Sequence, residues 1–314
     1  MAEEAGPYEF IRRAKYDLLG LPPKPKEVED FVQSWQKNPA TAKMELIDLL
    51  LADRAYGERW ATHWLDVVRF AESDGYRADG FRPSAHLYRD YVVRSLNEDK
   101  PYDQFVREQL AGDEINPDDY DHMVATGFLR HGVYEWNQRN ARMQWELILN
   151  EMTNVTGEVF LGLGIGCAQC HDHKFDPILQ KDYYSLQSFL SSVWWPEDKR
   201  LGKKSEMAKL NEWEKETIQV RDEIRKMEDE VFQGDIKNVV KQFPQDVQDM
   251  FYKKAEDRST YEQQLVELIN RQIRTQKIRK KWDKKFEKDE ELKSKYKKLQ
   301  LKLASLGTKP SLPQ

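Results

Sequence analysis

Both cysteines of this chain lie in one short stretch, Cys167-Ala168-Gln169-Cys170-His171-Asp172-His173-Lys174-Phe175-Asp176-Pro177. The order C-x-x-C-H is the attachment signature of a c-type haem. Its logic is geometric. Two thiols three residues apart on a helical turn reach the two vinyl groups of a porphyrin and hold it by thioethers, and the adjacent imidazole points at the iron. One covalent haem c, anchored on Cys167 and Cys170 with His171 as proximal ligand, is therefore the expected cofactor. Zinc is the alternative, because Cys167, Cys170, His171, His173 and Asp176 offer enough donors for a tetrahedral site. The spacing, however, crowds three of them together where zinc sites usually draw on a second, distant pair. Two reduced thiols in a glycine-rich turn, holding nothing, are the third reading.

A proximal histidine leaves one axial position to another residue, to water or to a substrate. The remaining histidines are His63, His86, His122, His131 and His173, with Met143 and Met152 near the motif in sequence. His63 is the candidate second metal ligand, since it sits between Trp60 and Trp64 on a helix where a half-buried imidazole could face a porphyrin. Hydrogen-bonded packing in a core is the competing role for each of these side chains. His173 lies too close to His171 to reach the opposite face, and suits a propionate or an acidic neighbour better. Asp74, Tyr76, Arg77, Asp79 and Arg82 form a charged, aromatic loop. Within it Arg82 is the candidate propionate partner, because a guanidinium fork matches carboxylate geometry.

The elements that must position these residues are helices. Apolar residues recur at helical spacing over residues 8–19, 26–35, 40–52, 57–71, 85–96 and 103–110. Prolines and turn dipeptides separate them, notably Pro22-Pro23, Asp74-Gly75 and Asp79-Gly80. Residues 113–121 are expected to be acidic loop. A long helix is expected over 140–163, with Leu147, Ile148, Met152, Val155 and Phe160 in the core and Gly162, Gly164 and Gly166 breaking it. Another helix covers 182–193. Strand signals are nearly absent, so the expected class is all-α.

After Trp194-Trp195-Pro196 the pattern changes. Met207, Leu210, Trp213, Thr217, Val220, Ile224, Met227 and Val231 follow heptad-like spacing with charged flanks, and Gly234 is expected to end that helix. Leu292, Tyr296, Leu299, Leu303 and Leu306 make a second seam at the end of a lysine-rich helix from about 259. The expected organisation is an irregular helical globular haem domain at 1–197, a long antiparallel helical hairpin at 198–308, and a linker-like tail at 309–314.

Charge and composition bound the function. The 314 residues carry 50 Lys plus Arg against 55 Asp plus Glu, a net charge of −5. Residues 198–314 hold 29 basic and 22 acidic residues, hence +7, leaving −12 for the remainder. The basic run 279–302 is interleaved with Asp283, Glu287, Asp289, Glu290 and Glu291, which marks a solvated helix face and argues against nucleic acid. No window offers the roughly 20 apolar residues of a spanning helix, so no membrane insertion is expected. The opening residues MAEEAGPYEF have neither the basic nor the apolar segment of a signal peptide. Since haem attachment in bacteria takes place outside the cytoplasm, the expected location is nevertheless periplasmic or secreted, with the export signal absent from this sequence.

The stretches DLLGLPPKPKEVEDF, YGERWATHWLDVVRFAESDGY, YRDYVVRSLNEDKPYDQFVREQLAGDEI and GLGIGCAQCHDHKFDPILQKDYYSLQSF occur in this order. Together, over residues 8–195, they resemble the planctomycete cytochrome c-associated domain found in large secreted proteins. The resemblance implies export, haem at Cys167 and Cys170, and His171 as proximal ligand. It also implies a neighbouring cytochrome c domain in a longer chain, a place near polysaccharide breakdown, and a variable insertion after Trp195. The expected function is electron transfer with a redox partner protein or that neighbouring domain. A haem enzyme of oxidative or peroxidase type with an open axial position, and a scaffold whose hairpin docks a partner, are the alternatives.

Overall fold

Proline and glycine punctuation sets the first helices of the chain. In the computed structural model, which describes residues 4–77, 79–135, 139–196, 200–274 and 289–311, α1 (Pro7–Leu19), α2 (Pro25–Lys37) and α3 (Pro39–Leu51) each begin on a proline. Proline's fixed φ suits the first helical position, and its missing N–H loses nothing there. Gly20 ends α1 at φ 72°, where its amide reaches the Tyr16 carbonyl. The Asn38 side chain caps α3 by accepting from the amides of Ala40 and Thr41. The helices α4 (Arg54–Val67), α5 (Ala85–Asn97), α6 (Tyr102–Ile115) and α7 (Tyr120–Ala125) follow, and a 3₁₀ turn covers Thr126–Arg130. Residues 113–121 are thus shared between two helices rather than forming one acidic loop; Asp119 is the cap of α7, accepting from the His122 amide.

By its contacts the chain divides into two units, Met1–Glu72 with Ser84–His131, and Ser73–Pro83 with Gly132–Gln314. The expected seam at 197/198 falls inside the second.

In the first unit Ile11, Leu19, Phe31, Leu46 and Leu50 are buried together, with Phe10, Phe31 and Trp35 packed ring against ring. Its other half buries Val92, Phe105, Val124 and Phe128 together with a few polar side chains. Glu108 is buried and accepts from Tyr91 Oη (2.8 Å), Gln104 Nε2 (2.7 Å) and Lys100 Nζ. Burial pushes its carboxyl up, but the hydrogen bonds and the Lys100 charge outweigh that, and its pKa lies below the ordinary value. A Cβ on Gly112 would collide with the backbone carbonyl of His122, so only glycine lets α6 lie this close to α7.

The second unit holds loop Ser73–Pro83 and the helices α8 (Ala141–Thr156), α9 (Gln180–Leu190), α10 (Lys204–Val240), α11 (Gln245–Tyr252), α12 (Thr260–Arg274) and α13 (Glu290–Ser305). Among the described residues there is no strand, only an isolated bridge between Ser73 and Phe81. The fold is all-α. The seams pair in antiparallel register, with Trp213 Nε1 bonded to the Gly307 carbonyl and Tyr296 Oη to Glu228. Gly234 does not end α10, which runs 37 residues to Val240. A single glycine costs a helix about 1 kcal/mol, too little against the packing of Met227 and Phe232 before it and of Ile236 and Val239 after it. Residues 275–288, including much of the expected lysine-rich helix, lie outside the described residues.

One core expectation also changes. Leu147 is 56% exposed, because α8 buries Trp145, Ile148, Met152 and Val155, a stripe that Leu147 falls outside. On α4, Trp60 and Val67 are exposed and the buried side chain is Ala61.

Loop Ser73–Pro83 is fastened from within. Asp74 is buried, receives Arg82 Nε at 2.8 Å and pairs with Arg271 of α12. The Asp74 amide donates to the Gly80 carbonyl, and the Tyr134 amide to the Asp74 carbonyl. Arg271 also stacks 4.4 Å over the Tyr134 ring.

Candidate functional site

The C-x-x-C-H stretch leaves α8 through a π turn at Gly157–Leu161 and Gly162 at φ 64°, then enters a 3₁₀ turn at Ile165–Gln169. Side chains three apart eclipse one another on a 3₁₀ helix. Ile165 and Ala168 therefore share the inner face, buried against Tyr183 with Ile178 and Leu186 packed alongside. Cys167 and Cys170 share the outer face, both exposed as free thiols. Gly157 makes the inward packing possible, since a Cβ there would sit 2.6 Å from Ile165 Cδ1.

His171 is exposed, and its Nδ1 lies 2.8 Å from the carbonyl oxygen of Asp172. A carbonyl only accepts, so this contact calls for the proton on Nδ1, and in a neutral imidazole Nε2 is then the unprotonated nitrogen. His173 does the opposite. Its Nδ1 accepts from the Asp176 amide at 2.9 Å with the Asp176 carboxylate 3.2 Å away, while its own amide donates to the Ile178 carbonyl. It organises residues 173–178.

The turn is tied to α9. The Gln169 carbonyl accepts from Tyr184 Oη (3.0 Å) and Gln180 Nε2 (3.2 Å). Burial, with Tyr184 and Cys170 as neighbours, pushes the Tyr183 phenol up to about 12. Leu161 and Leu163 before the motif and Phe175 and Leu179 after it are exposed, Phe175 by 83%. A Cβ on Gly162 or Gly164 would meet nothing within 4 Å.

These features fit a covalently held porphyrin. Two thiols share an outward face, one imidazole nitrogen is free for iron, and an apolar rim flanks open glycines. Among the described residues no three His, Cys, Asp or Glu side chains are grouped so that they could hold a metal ion.

His63 lies on α4 of the first unit, exposed rather than half-buried, edge-on to Trp60 with ring centroids 5.6 Å apart. Arg82 belongs to the second unit, where its fork is committed to Asp74 and, at 2.8 Å, to the Gly132 carbonyl. Met152 is buried in α8 and Met143 is exposed. His131 packs between Phe70 and Tyr88. No described helix is long and apolar enough to cross a membrane.

A helical chain carrying one C-x-x-C-H turn is the class that fold and site define. A family model described as PSCyt2, protein of unknown function (DUF1549), matches residues 1–194, and the chain belongs to that family. No curated protein and no solved structure matches it.

Proposed function

We propose that the chain is an exported c-type haem domain that relays electrons. Cys167 and Cys170 hold the group through thioethers, and His171 Nε2 is its proximal ligand. When bound, haem supplies a one-electron iron couple. The protein's part is to anchor and orient. Ile165 and Ala168 are buried under the turn so that both thiols stand outward, and the Asp172 carbonyl holds the imidazole with Nε2 unprotonated. The observation that carries the reading is this shared outward face of two free thiols beside a histidine whose second nitrogen is already engaged.

An exposed attachment turn suits delivery to another protein, because an electron passes readily from a haem edge at the surface. The proposed partner is a redox protein or a neighbouring cytochrome c domain, and the proposed location is periplasmic or extracellular, where haem attachment occurs. Service to polysaccharide breakdown rests on the family resemblance alone.

The test is maturation in a host with c-type cytochrome assembly, followed by acid–acetone extraction, a pyridine haemochrome spectrum and intact mass. Colour that stays with the polypeptide, and a mass raised by one haem, support the reading. Bare polypeptide mass after full maturation overturns it. A low-spin spectrum is expected of a relay; high-spin iron that rapidly binds cyanide or peroxide points instead to a haem enzyme.

A further inference from the structure

We propose that Asp172 is the positioning residue of this site, setting which nitrogen of His171 is free to bind iron. A surface imidazole can carry its proton on either nitrogen, and only the unprotonated one ligates a metal. In His171 the choice is made by the Asp172 carbonyl, 2.8 Å from Nδ1. That carbonyl belongs to the peptide unit joining Asp172 to His173, and the unit is held at several points.

Its N–H, on His173, donates to the Ile178 carbonyl at 2.8 Å. C=O and N–H of one peptide point in opposite directions, so the Ile178 bond turns the carbonyl toward His171. The Asp172 carboxylate supplies the next point, with Oδ1 accepting from the Gln180 backbone amide at 2.8 Å. Gln180 is the first residue of α9, and its N–H has no partner within the helix. A carboxylate there also meets the positive end of the helix dipole. The same helix holds the other end of the turn through Tyr184 and the Gln169 carbonyl. Asp172 thus ties the histidine's acceptor to a rigid element, and its side chain never needs to touch the imidazole.

The inference that this prepares an iron ligand rests on the haem reading, but the orientation can be measured in haem-free protein. Ring ¹⁵N spectra are recorded at about pH 8, above the ordinary imidazole pKa, with the His171 signal assigned by its loss in His171→Gln. The wild type is expected to show Nδ1–H, Asp172→Ala to shift toward Nε2–H, and Asp172→Asn, which keeps an acceptor oxygen, to restore Nδ1–H. Exchange of the Gln180 amide should speed up about tenfold in Asp172→Ala, the equivalent of one lost hydrogen bond of about 1.4 kcal/mol.

A wild-type His171 in the Nε2–H form, an Asp172→Ala ring spectrum identical to wild type with α9 intact by circular dichroism, or an Asp172→Asn that behaves like the alanine variant would each overturn the proposal. Haemochrome analysis of matured protein decides the haem reading separately. Nδ1–H in wild type, lost in the alanine variant, without covalent haem would retain the positioning and remove iron as its purpose.

Discussion

Cys167 and Cys170 are exposed where a buried pair would be inert, and each is expected to form its own bond to the porphyrin. Cys167→Ala, matured in an assembly-competent host, should retain covalent haem through one thioether, while Cys167→Ala with Cys170→Ala should lose all colour to acid–acetone. Retention of colour by the double variant would mean that attachment lies elsewhere. Glu108 governs a different property. Its folded pKa lies below the ordinary carboxylate value, so the unfolded chain takes up its proton first as pH falls. Its stabilisation is therefore complete above the unfolded pKa of about 4.3 and disappears as pH drops through the folded value. Glu108→Gln should lower stability at pH 7 by about 2 kcal/mol, since hydrogen bonds to a charged group are lost. It should also flatten the loss of melting temperature on acidification, which calorimetry across that pH range would check.

Among the elements, the turn that presents the thiols depends on a glycine ten residues upstream of Cys167. Gly157→Ala should displace Ile165 and cost about 1–3 kcal/mol of stability, as overpacking does. Gly164→Ala, which meets open space, should stay within about 0.5 kcal/mol of wild type. Urea titration of both variants separates the outcomes, and equal stabilities would contradict the packing described for Ile165. The helices themselves were legible, because period-3.6 spacing and prolines at helix starts are local signals. Which face each helix buries was read less well, as Leu147 and His63 demonstrate. Hydrophobicity says that a side chain favours burial, whereas register against neighbouring helices decides it. The C-x-x-C-H motif was visible as spacing, but its support was not. Asp172 acts through backbone amides and carbonyls, and no residue type announces such a bond.

At the scale of the whole molecule, α12 carries two contacts to residues earlier in the chain. From α12, Gln264 accepts the Trp195 amide and Arg271 reaches Asp74 in the loop Ser73–Pro83. The pair is well shielded, with the Asp74 side chain fully covered and 15% of Arg271 accessible. Removing one partner of such a pair typically costs about 3–5 kcal/mol. Arg271→Met should therefore lower the unfolding midpoint by that order, and Arg271→Lys by less, since an ammonium keeps the charge and loses the fork. If the methionine variant were as stable as wild type, the pair would contribute nothing to holding the loop on α12. This link was beyond sequence reading. Loop Ser73–Pro83 and α12 each look ordinary alone, and nothing periodic joins them.

Asp74 and Arg271 stand 197 positions apart in the chain. A polypeptide emerging from the ribosome or a translocation pore presents the carboxylate long before the guanidinium, at roughly 5–20 residues per second. For that interval, on the order of ten seconds or more at such speeds, the loop has Arg82 but lacks Arg271. Final closure of this part of the molecule must wait for its last third to arrive.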